Sequence, residues 1–179
     1  MKLKLCSTYA ALLTVTMMLA APAFAAQANP SEVFGKLISD QEKQVVGLAE
    51  AMPADKYGFA PSDGKFTGVR TFAQQLTHVA EAQYFFFGAF GVKPAFDPKS
   101  LDKLTGKDEI IKALKDSFEF AKKATDTMTA QNAFESIQQR DGTNTRASIV
   151  AFSLAHTNDH YGQMIVYLRM NGVVPPGSR

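Results

Sequence analysis

Imidazole is the side chain that binds transition metals most often and titrates closest to neutral pH. The chain has three, His78, His156 and His160. His156 and His160 are four apart, so on a helix both would project from one face, about one turn apart, and could reach a single ion. Three neutral nitrogens without a fourth protein ligand leave a coordination position for water or substrate, the pattern of a catalytic rather than a structural zinc site. Nickel, iron and copper also accept imidazole, so residue type alone does not name the metal. The competing reading is a plain one: a solvated helix face for the pair, and an ordinary surface or capped histidine for His78.

Other chemistries are poorly supplied. The one cysteine, Cys6, can close no intrachain disulfide and build no thiolate zinc cluster. No Ser/His/Asp arrangement or Gly-rich phosphate loop stands out. A formal charge of +2, with no basic block, disfavours capture of nucleic acid. Hydrophobic residues at 46% and charged residues at 20% fit a globular chain and exclude a disordered or collagen-like one.

The first 25 residues read as a secretory signal peptide. Lys2 and Lys4 form a basic start, Ala10 to Ala21 is apolar apart from Thr14 and Thr16, and Ala23-Phe24-Ala25 suits cleavage. A cut after Ala28 would serve too. The apolar run is short for a membrane span, which needs about 20 residues. Cys6 precedes that run, so it is misplaced for a lipoprotein site. Processing removes two lysines, no acid and the only cysteine. The mature chain would be a neutral, cysteine-free, periplasmic or secreted domain of about 150 residues, covering 26–179, with no stable membrane anchor.

Four helices are expected to position the histidines. The first spans about Pro30 to Met52, with Val33, Leu37, Val45, Leu48 and Met52 on one face. The second spans about Thr71 to Phe90. Thr71 and Gln74 suit a capping box, and Phe72, Leu76, Val79, Gln83, Phe86 and Phe90 share a side. Tyr84-Phe85-Phe86-Phe87 makes its second half apolar nearly all round, as in a helix buried on more than one side. The third spans about Lys107 to Met128, with Ile110, Leu114, Phe118, Ala121 and Met128 inward and Lys112, Lys115, Lys122 and Lys123 on a wetted face. The fourth spans about Thr145 to Met170, before Asn171-Gly172. One of its stripes is Ala147, Val150, Leu154, Tyr161, Ile165 and Leu168; the opposite set is Ile149, Phe152, His156, His160, Gln163 and Tyr167. The first should pack in the core and the second should line a cleft or interface. Long connections at 53–70 and 91–106 have the length of functional loops. Asp141-Gly142 marks a turn, and β-signals are too weak for a sheet. The fold class is all-α, a four-helix bundle.

Phe72-Ala73-Gln74-Gln75-Leu76-Thr77-His78-Val79-Ala80 resembles the second helix of the DinB-like (YfiT-like) metalloenzyme family, as do Met52 to Tyr57 and Arg70-Thr71-Phe72 before it. His156-Thr157-Asn158-Asp159-His160-Tyr161-Gly162-Gln163 and the tail Asn171 to Pro176 are similar to that family's last helix. The likeness covers nearly all of 30–177. It implies an up-down-down-up bundle, often homodimeric, and a divalent metal ion (zinc or nickel first, iron after them) on the triad His78, His156 and His160. Relatives include transferases and isomerases that use small thiols. Tyr161 departs from the family, which often has Arg before Gly-Gln. The export signal departs as well, since it would place the chain away from cytoplasmic thiols.

The expectation is an exported metal-dependent hydrolase or thiol-type transferase acting on a small molecule. The alternatives are a non-catalytic metal-binding or stress-related bundle, and a dimeric interaction module without metal. Gln163, on the histidine face one turn past His160, is the candidate for a further site role. Asn158 and Tyr161 fall on the core stripe, and Glu81, three residues past His78, could approach the site.

Overall fold

The computed structural model describes residues 28–61, 68–139 and 142–178. The signal peptide expected at 1–25 lies outside the described residues, as does the cut expected between Ala25 and Ala28.

Local signals set the helix ends. α1 (Pro30–Ala51) begins where the Asn29 side chain accepts from the Ser31 N–H, and it stops short of Pro53. α2 (Phe72–Gly88) begins in a complete capping box: Thr71 Oγ1 accepts from the Gln74 N–H, and Gln74 Oε1 accepts from the Thr71 N–H. α3 (Lys107–Thr125) follows Gly106, and Lys107 Nζ donates to the carbonyls of Glu50 and Met52 at the end of α1. α4 (Arg146–Met170) has a second capping box, between Thr145 and Ser148, and ends as the chain turns through Gly172 at φ +71°.

Cross-helix contacts fix the directions. Lys115 pairs with Glu50 and Lys122 with Glu42, so α3 runs antiparallel to α1. Gln83 meets Thr157 and Tyr167 Oη reaches the Arg70 carbonyl, so α4 runs antiparallel to α2. Gln41 reaches the Leu154 carbonyl and Gly47 faces Pro176, so α1 and α4 are parallel. The course is therefore up-down-down-up. It requires a crossover between the parallel α2 and α3, and residues 89–106 supply it, with a 3-10 turn (Pro98–Lys103) packed on α2.

The core is filled by Phe72, Leu76 and Phe87 from α2, Leu114 and Phe118 from α3, Leu48 from α1 and Met164 and Leu168 from α4. The stripe expected on α2 is buried throughout, and Tyr84 and Phe87 are buried beside it while Phe85 is not. On α1 the inward face is Ile38, Gln41, Val45, Leu48 and Met52, while Val33 and Leu37 are exposed. The first turns of α1 are thus phased one residue later than expected, because Gln41 enters the core with its amide bonded to the Leu154 carbonyl. The α3 lysines are only partly a wetted face, since Lys122 is about a quarter exposed and bridges Glu42 and Glu119.

Two expectations change. A short antiparallel hairpin precedes α4, β1 (Ser136–Gln139) against β2 (Gly142–Thr145), with Ser136 opposite Thr145. It is too short and polar to show alternation in the sequence, and Asp141 of the turn expected at Asp141-Gly142 lies outside the described residues. On α4 the buried face lies between the two expected stripes, at Val150, Ser153, Thr157, His160, Met164 and Tyr167. Asn158, expected near the core stripe, is exposed, and Tyr161 is half-buried. Ser153 and Thr157 read as surface residues, but they are inside because Gln83 bonds both. Ser153 Oγ donates to Gln83 Oε1 at 3.0 Å, and Gln83 Nε2 donates to Thr157 Oγ1 at 3.3 Å.

Candidate metal centre

α2 supplies His78 and α4 supplies His156 and His160, where the two helices cross antiparallel. His156 Nε2 is 3.3 Å from His78 Nε2 and 3.3 Å from His160 Nε2. One nitrogen from each of the three rings falls within 4.8 Å of the others, so the group could hold a metal ion. Four ligands at 2.0–2.1 Å from one zinc ion stand about 3.3 Å apart, so both separations at His156 suit such an ion.

A hydrogen-bonded chain fixes the tautomer of His160. The Asp159 carboxylate only accepts, so Gln163 must present its amide nitrogen to it, at 2.9 Å. The Gln163 oxygen then accepts from Gln75 Nε2 at 2.8 Å. That leaves the Gln75 oxygen to face His160 Nδ1, at 2.5 Å. An amide oxygen cannot donate, so Nδ1 carries the hydrogen and the Nε2 lone pair points into the triad. This is how metal-ligating histidines are usually oriented. Gln75 is buried and was not singled out in the sequence, where a glutamine in a helix carries no distinguishing mark. Gln163 lies one residue further along the chain, and Asn158 Oδ1 accepts from Gln41 Nε2 away from the triad.

His156 is held differently. The edge of Phe86 and the face of Phe152 flank its ring, and its Nδ1 is buried with no hydrogen-bond partner among the described residues.

Burial is the main cause of the lowered imidazole pKa values. His78 falls to about 4 through burial, then the charges of Arg70 and His156. His160 falls to about 4 through burial, then His156 and His78. His156 is lowered by burial, against Asp159, which raises it. All three are therefore neutral at physiological pH, the form that binds metal. Glu81 lines the cleft beside His78, its carboxyl raised by burial and then by Asp102.

The profile of the DinB superfamily matches residues 37–164. The crystal structure of a DinB-like protein from Bacillus cereus ATCC 10987 superposes with a TM-score of 0.71 over 81% of this chain and 95% of that one, at 16% identity. That likeness shows a shared fold. No curated protein matches the chain.

Proposed function

The chain belongs to the DinB superfamily, and on that footing we propose that it is an exported metal-dependent enzyme whose His78, His156 and His160 hold one divalent ion. Zinc or nickel suits the site before iron, and the activity is that of a hydrolase or thiol-type transferase on a small molecule. The observation that carries the reading is the set of three converging nitrogens, with the His160 lone pair aimed among them by Gln75.

When bound, the ion supplies Lewis acidity, lowering the pKa of a water or thiol so that a nucleophile exists near neutral pH. The chain supplies the rest. Gln75 keeps the proton of His160 on Nδ1, and Gln163 and Asp159 keep Gln75 in place. Phe86 and Phe152 keep bulk water from one side of His156. Glu81, with its raised pKa, is the carboxyl in the cleft suited to hold a proton.

Export rests on the Met1–Ala25 segment, and a homodimer rests on the family resemblance, supported by the exposed Val166, Met170 and Val174 near the α4 C-terminus. An open coordination position separates an enzyme from a storage or structural site. In the cobalt-substituted protein, azide or a small thiol should change the visible spectrum. A spectrum indifferent to both would sink the catalytic reading.

A further inference from the structure

Two clefts of different chemistry adjoin the triad, and His78 lines both. Toward the start of α2, a cleft of about 460 Å³ is lined by Arg70, Gln74 and Asp102. Toward its end, a mostly apolar cleft of about 340 Å³ is lined by Ala82, Phe85, Phe86 and His156, together with the charged Glu81 and Lys99. Both volumes are ordinary for small-molecule sites. Gln74, His78, Glu81 and Phe85 recur at steps of four, three and four, so they share one face of α2. At ~1.5 Å of rise per residue, Phe85 stands about 10 Å along the helix from His78.

The polar end holds a cation without a fixed counter-charge. Arg70 makes no ion pair among the described residues, although Asp102 lines the same cleft. Its main chain is anchored, since Tyr167 Oη donates to the Arg70 carbonyl at 3.0 Å. Arg70 lines the same cleft as the triad's His78. A guanidinium fork matches a carboxylate in plane and spacing. The apolar end offers Phe85, half-exposed at the cleft mouth, beside the buried Phe86. Phe85 and Phe86 together give this cleft an aromatic wall against which an apolar group can pack.

Resting on the metal-site reading above, we propose that the two clefts act as one groove across His78 and take a small amphipathic carboxylate. Its carboxylate lies at Arg70 and its aromatic or alkyl body lies over Phe85 and Phe86, so the atoms between pass the triad. Arg70 and Phe85 set specificity at the two ends.

Calorimetric titration with phenylbutyrate, its neutral amide and butyrate tests this, on the zinc-treated and the metal-free protein. The acid should bind about tenfold tighter than the amide in both forms, since the preference comes from Arg70. Arg70→Gln should remove that preference and leave amide binding unchanged. Phe85→Ala should bring phenylbutyrate down to the affinity of butyrate. Equal binding of acid and amide, no binding of either, a preference confined to the zinc form, or an Arg70→Gln variant that keeps the preference would overturn the proposal. Zinc content of the same samples tests the triad separately. A wild-type protein without zinc would defeat the metal-site reading whatever the titrations show.

Discussion

Gln75 shows how a residue with no chemistry of its own governs one that has it. Its amide fixes which nitrogen of His160 carries the proton, and the order of bonds back to Asp159 leaves no other arrangement. Gln75→Leu should therefore lower zinc affinity about 10- to 100-fold while the helical content is kept. Competition against a chromogenic chelator measures this, and an unchanged affinity would remove Gln75 from the site. Gln163→Leu, one bond further out, should have a smaller effect in the same direction. The imidazoles give a second prediction at this scale. Unfolded, they titrate near 6.5; folded, His78 and His160 titrate at about 4. Between those values the unfolded chain binds more protons, so stability rises with pH. The metal-free protein should be fully stable above about pH 6.5 and lose stability as pH falls toward 4. Urea midpoints near pH 7 and pH 5 check the sign, and replacing both histidines by Gln should flatten the difference.

At the scale of elements, the helix ends were legible because they are written in side chains that cap. Thr71 with Gln74 pairs backbone N–H groups the second helix leaves open, and Pro30 and Pro53 bracket the first. The phases of α1 and α4 were not legible, because both bury polar residues. Gln41 draws α1 round by one residue. Ser153 and Thr157 turn the core face of α4 away from both apolar stripes, since Gln83 lies across from them. A search for hydrophobic periodicity counts such residues as surface. The His156–His160 spacing was visible, but the partner of His160 was not, because Gln75 and the solvent-facing Gln74 are the same residue type. The cap of α4 carries the prediction at this scale. Thr145→Ala should cost about 1 kcal/mol of stability and leave zinc content unchanged, because it loosens the first turn and not the turns bearing the triad. Denaturant unfolding with parallel metal analysis checks both halves; loss of zinc alongside stability would mean that the helix start also positions the site.

Across the whole molecule, the up-down-down-up course is what sets α2 antiparallel to α4 and brings residue 78 to residues 156 and 160. The crossover at 89–106 that this course demands also lays Lys99 and Asp102 over α2, so the connection that completes the topology walls the cleft. The export reading belongs to this scale too. Expressed in a bacterium, the full chain should appear in the periplasmic fraction with an N-terminus between residues 26 and 29, which intact-mass spectrometry reads directly; a cytoplasmic, uncut chain would remove that part of the account. Whether the bundle holds one ion on its three histidines is read by elemental analysis of the purified protein and of its His156→Ala variant: one divalent ion per chain is expected in the wild type and none in the variant, whereas a wild type without metal, or a variant that keeps it, would show that the triad is not the metal site.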